Sequence, residues 1–122
     1  MINDPFRIPT DAEIDNAEKR LGIKFHNDYR NFLKAGSDVA NATLEPAVVL
    51  PGSGHLDLFE IAETAWNIMG LPRDILPFIE DNGDYFGISN SGEVFYWSHN
   101  GTTNEKWPSL AAWHKQVCVE LQ

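Results

Sequence analysis

The stretch ILPFIEDNGDYFGISNSGEVFYW, residues 75–97, decides how this chain folds. Three short apolar runs are separated by two polar breaks, Asp81-Asn82-Gly83-Asp84 and Asn90-Ser91-Gly92-Glu93. An Asn-Gly or Ser-Gly step between β-prone runs is a strong hairpin signal, because these residues accept the positive φ of tight turns. The segment is therefore predicted to be a three-stranded antiparallel meander over about residues 75–98. Its turns carry acids and no base.

Helical patterns flank the meander. Thr10-Asp11-Ala12-Glu13 has the form of a capping box. Ile14, Ala17 and Leu21 follow at helical spacing, with Glu18, Lys19 and Arg20 expected to face water. Gly22 stands where a left-handed cap belongs, so a first helix is predicted over about 11–21. Tyr29, Phe32 and Leu33 mark a second helix over about 27–35, stopped by Gly36, with Phe25 filling the corner between the two. Residues 43–50, TLEPAVVL, read as a strand demoted toward an edge by Pro46. Leu58, Ile61, Ala62 and Ala65 or Trp66 place a third helix over about 58–68, with Asp57, Glu60 and Glu63 off its apolar face. Leu110, Trp113, Val117 and Leu121 give a final helix over about 109–121, starting at Pro108 or Ser109. The whole chain, 1–122, reads as one α+β domain with helices packed on an antiparallel sheet.

Charge narrows the function classes. The chain of 122 residues carries a net charge of −9. Residues 38–104 hold ten acids and one base, Arg73, whereas both flanks are neutral. Such a surface repels phosphate backbones, which argues against a nucleic-acid partner, and attracts basic proteins. No apolar run reaches the roughly 20 residues needed to span a bilayer, and residues 1–10 lack a secretory leader pattern. A cytoplasmic location and no membrane partner are expected. The single cysteine, Cys118, excludes an internal disulfide and, with scattered histidines, leaves no zinc pattern.

Other chemistries fit poorly. Counting a calcium loop from Asp81 puts Phe86 at the sixth position and Gly92 at the twelfth, where glycine and a bidentate glutamate are needed. A glycosidase requires two carboxylates facing each other across a cleft, and the acids here fall mainly in turns. There is no Gly-x-Ser-x-Gly elbow, and Gly52-Ser53-Gly54 lacks the lysine ending of a phosphate loop. No cofactor, metal or catalytic residue is expected. Asp81 and Asp84 also suit turns, whose backbone amides Asp side chains commonly bond.

Several motifs together resemble the SUKH superfamily, the Smi/Knr-like group named partly for yeast cell-wall-assembly regulators. Leu21-Gly22, then Tyr29, Phe32-Leu33 and Gly36, match its N-terminal signature. The usual Leu-Pro step is replaced by Lys24-Phe25-His26, and the Asn-Gly-Gly after the second helix by Ala35-Gly36-Ser37. Pro77, Phe78, Asp81 to Phe86, Gly92, Val94 and Trp97 match the family's central stretch. The resemblance implies a non-enzymatic α+β domain. Bacterial members are mostly immunity proteins that bind secreted toxins, often nucleases, whereas the yeast members are regulatory hubs. The reading that joins this to the charge is a neutraliser of a cognate basic toxin domain, with Asp57, Glu60, Glu80, Asp84, Glu93 and Tyr96 as the partner-binding residues. A regulator or scaffold with another protein partner is the alternative, and a carboxylate-dependent hydrolase a weaker third.

Overall fold

A computed structural model describes residues 8–39, 42–49, 54–98 and 105–120 of the chain. Helix α1, Asp11–Leu21, begins with the expected capping box: the Thr10 hydroxyl accepts from the Glu13 amide at 3.2 Å, and Glu13 accepts from the Thr10 amide at 2.9 Å. It ends at Gly22, whose φ of 70° is the left-handed cap. Helix α2, Asn27–Lys34, is capped by His26, whose Nδ1 accepts from the Asp28 amide at 3.0 Å. Phe25 is buried between them, edge-on to Tyr29 at 5.2 Å.

Glu18 departs from its expected place in water. Its side chain is only 12% exposed and turns into the corner between α1 and α2. There it accepts from the Phe25 amide at 2.7 Å and from Arg30 at 3.2 Å. The amide of Phe25 precedes a helix and has no carbonyl of its own to meet, so a carboxylate in that corner satisfies it. Arg20 is exposed as expected, and its guanidinium lies 4.0 Å over the Phe59 ring of α3.

Helix α3, Leu58–Thr64, continues as a π-helical segment, Ala65–Met69, to Gly70 at φ 87°. Leu58, Phe59, Ile61, Ala62, Ala65 and Trp66 are all buried, and α3 packs on β1 and α1. Helix α4, Leu110–Trp113, has Ser109 as its cap, accepting from the Ala112 amide at 3.1 Å, and runs on as a π-helical segment, His114–Glu120. That wider winding corrects the expected apolar stripe. With i→i+5 bonding the turn is wider than an α-turn, so Cys118 joins the face below Trp113 and is fully buried, while Val117 stays half-buried against the core. Leu121, His99 and residues 51–53 lie outside the described residues.

The meander is present. Strands β1 (Ile75–Asp81), β2 (Asp84–Ser89) and β3 (Val94–Trp97) pair antiparallel in sequence order, and a two-residue β4 (Lys106–Trp107) extends the sheet beside β3. Residues 43–50 do not form the expected strand among the described residues. Single bridges instead join Pro46 to Ile79 and Val48 to Asp57, with Ala47 donating to the Phe78 carbonyl at 2.8 Å. Pro46 cannot donate to a ladder, so pairing there does not propagate.

A bulge in β1 lies between Pro77 and Ile79, leaving Phe78 out of the register. Phe78 and Ile79 are both fully buried, within a run of four buried residues from Leu76 to Ile79, so both faces of β1 are covered there. Phe78 is the hub of the core. Its ring meets Tyr29 at 5.8 Å, Phe32 at 6.1 Å and Trp113 at 5.1 Å, joining α2, the sheet and α4. Truncating Phe78 or Trp113 to alanine costs about 3–5 kcal/mol on general grounds.

Candidate functional site

The β1–β2 turn is built from Asn82 at φ 53° and Gly83 at φ 89°. Two successive positive φ values define the turn whose twist matches that of antiparallel strands, which is why Asn-Gly occupies it. Asp81 and Asp84 are paired directly across this turn. Like charges so placed repel, and the structure offsets the repulsion with hydrogen bonds. Asp84 accepts from the Tyr96 hydroxyl at 2.9 Å, and Glu80 accepts from the Gly83 amide at 2.8 Å.

Register assigns the faces. Ile79 pairs with Phe86, and Phe86 with Tyr96, so Asp81, Asp84, Phe86 and Tyr96 share the face that α4 covers. Val94 pairs with Trp107, which brings the Trp107 ring to the same face. Glu80, Tyr85, Phe95 and Trp97 occupy the other. Tyr85 is buried beside Trp97 at 5.9 Å, and Phe95 and Trp97 are half-buried.

At the tip of the sheet, beyond α4's cover, the helix-side face opens into a groove of about 530 Å³. Phe86 contacts both aromatic neighbours there, Tyr96 at 5.1 Å and Trp107 at 5.9 Å. Asp81 and Glu105 line it as exposed carboxylates, and Leu44 and Val117 add apolar surface. Both polar aromatics are tethered. Trp107 Nε1 donates to Gln116 Oε1, and Tyr96 donates to Asp84. Partial burial, the Asp84 hydrogen bond and the charges of Asp84, Asp81 and Glu105 push the Tyr96 phenol up to about 12. The groove is thus a region of concentrated negative potential around a neutral aromatic.

The acids singled out from the sequence do not all converge. Glu80 and Asp84 flank the β1–β2 turn. Glu93 sits in the β2–β3 turn, where its carbonyl accepts from the Ser89 amide at 2.9 Å. The five residue steps of β2 place these turns about 17 Å apart. Glu60 is exposed in the first turn of α3. Asp57 is corrected outright as a surface acid. It is 5% exposed and caps α3 by accepting from the Phe59 amide at 2.9 Å. A helix entering the core leaves amides that need a buried acceptor, and Asp57 supplies it.

Sequence reasoning missed Glu105, Trp107 and Gln116, and left Asp81 out of the partner-binding residues because an aspartate there suits the turn. A two-residue strand has no periodicity to detect, so β4 and its neighbours carried no signal. Among the described residues no group of His, Cys, Asp or Glu is arranged to hold a metal ion, and no helix is long and apolar enough to cross a membrane.

No curated protein matches the chain. A solved structure described as the crystal structure of a protein from Pseudomonas syringae pv. tomato is similar along nearly its full length. The TM-score is 0.85 at 32% identity, covering 98% of this chain and 89% of that one. The SUKH_5 family, described as SMI1-KNR4 cell-wall, matches residues 2–119. The meander, the capped helix pair before it and the helix that closes over it are therefore those of a family fold, and the chain belongs to the SUKH superfamily.

Proposed function

We propose that this protein is a cytoplasmic, immunity-type binding protein that neutralises a basic, nuclease-type toxin domain by occluding it, without catalysis of its own. One observation carries the reading. Asp81, Asp84 and Glu105 gather around Tyr96 at an open tip, while Arg73, the single base of the acidic middle block, is held elsewhere. Arg73 lies 4.7 Å over the Trp66 ring, before the start of β1 and so about 20 Å of strand from Asp81. A basic cleft that binds phosphates would meet carboxylates instead, with close charge pairs worth roughly 1.5–7 kcal/mol each. Asp81 and Glu105 are exposed rather than enclosed, which favours binding over the desolvated acid–base pair of a hydrolase.

The family's cell-wall description supports a second reading, a regulator with a different protein partner. The neighbouring gene separates them, since a large secreted toxin encoded alongside fits only the first. The direct test is survival against that toxin. Asp81→Lys with Glu105→Lys, in a folded protein, is expected to abolish protection, and Glu93→Lys to reduce it less. Full protection by the folded double variant removes the acidic tip from the mechanism.

A further inference from the structure

The groove at the sheet tip has a shape and chemistry more specific than an acidic patch. We propose that it receives one arginine side chain of a basic protein partner, the guanidinium stacking on Tyr96 or Trp107 while its edge faces Asp81 and Glu105. This rests on the binding role proposed above and specifies its anchor.

Three observations carry it. Among the described residues, the lining contains aromatic surface, two exposed carboxylates and no lysine, arginine or histidine. A planar cation that is weakly hydrated and offers in-plane donors suits ring faces beside carboxylates better than an ammonium does. The ring positions are set in advance. Tyr96 is fixed by Asp84, Trp107 by Gln116, and both abut Phe86, so little side-chain order remains to be imposed on binding. The complementary charge is not supplied from within the nearby sheet. Lys106 belongs to the opposite face by its pairing with Phe95.

The volume of about 530 Å³ exceeds one guanidinium and leaves room for the aliphatic stem and adjoining backbone of a partner segment. A purely apolar peptide would strand the carboxylates at the mouth without partners.

The test uses the full chain, labelled with nitrogen-15, and two probes of one shape, N-acetyl-arginine amide and N-acetyl-citrulline amide. The arginine probe is expected to shift the Trp107 indole N–H and the Tyr96 amide saturably at physiological salt. The uncharged citrulline probe is expected to leave them in place. Asp81→Asn and Glu105→Gln should each weaken the arginine probe about threefold. Equal shifts from both probes, shifts confined to the Glu93 turn, or tighter binding of spermidine than of the arginine probe would overturn the proposal. The two readings fail separately. Loss of toxin capture on charge reversal without arginine binding in the groove removes the anchor and keeps the function. Arginine binding without capture of any basic toxin does the reverse.

Discussion

Gly92 lies flat against the ring of His26. A Cβ built on Gly92 would stand 2.8 Å from Nε2 and 2.9 Å from Cε1 of that imidazole, and Gly92 is at φ +91°. The β2–β3 turn thus braces the residue that caps α2. Gly92→Ala is expected to cost about 2 kcal/mol or more, from left-handed strain together with the clash. His26→Ala alone loses only the cap, about 1 kcal/mol. In the double variant the clash is gone, so the two costs should sum to more than the measured loss. Urea unfolding of the four proteins checks this, and strict additivity would disprove the contact's importance.

Glu18 is a hub rather than a surface charge. Glu18→Ala leaves the Phe25 amide without its acceptor and takes from Arg30 its most buried carboxylate partner, at an expected cost of about 2 kcal/mol. Asp15 also pairs with Arg30, at 3.0 Å, but its side chain is 57% exposed. Asp15→Ala should stay within about 0.5 kcal/mol. Comparable losses from the two would contradict the difference in burial.

Tyr29 presents the opposite case. It is fully buried, and its hydroxyl has no hydrogen-bond partner among the described residues. Burying a hydroxyl without a partner is unfavourable, so removing it relieves that cost. Tyr29→Phe is expected to leave stability unchanged or raise it by up to about 1 kcal/mol. A thermal melt showing clear destabilisation would assign the hydroxyl a partner.

Alkaline pH should loosen the fold. Burial pushes the Cys118 thiol up to about 11, and burial with the Asp84 contact pushes Tyr96 up to about 12. Burial also raises Tyr29 and Tyr85. In the unfolded chain these groups ionise near about 8.5 for Cys and 10 for Tyr. The folded chain therefore holds protons that the unfolded chain has released, and stability falls as pH rises. It should be intact below about pH 8.5 and decline between about 9 and 12. Urea midpoints at pH 7, 9 and 10.5 measure this, and Cys118→Ala should delay the onset toward the tyrosine range. On the acid side, the Lys34 hydrogen bond lowers Asp11, so its small exposed contribution is lost as pH falls.

Local signals were readable and long-range ones were not. The Thr10–Glu13 box and the Asn82-Gly83 turn are settled within four residues, and both formed as read. The 43–50 segment has strand composition, yet what it pairs with is decided by Ile79 and Asp57, distant in sequence. Helical spacing in the last helix pointed to Val117, and a change of winding shifted burial to Cys118. Glu93 and Asp84 are grouped by charge as partner-binding acids, but they stand at opposite ends of β2. Conversely, Asp81 and Glu105 share a groove only because β3 and β4 pair in a register that a two-residue strand does not announce.

The segment that is not a strand has its own consequence. An open sheet leaves unpaired backbone groups along its first strand, a template for joining another chain. Here Pro77 offers no N–H, the bulge at Phe78 interrupts the ladder, and Pro46 with Ala47 occupies the edge at Phe78 and Ile79. A hydrophobic, β-rich meander is thereby kept from adding a foreign strand, so these prolines guard against aggregation.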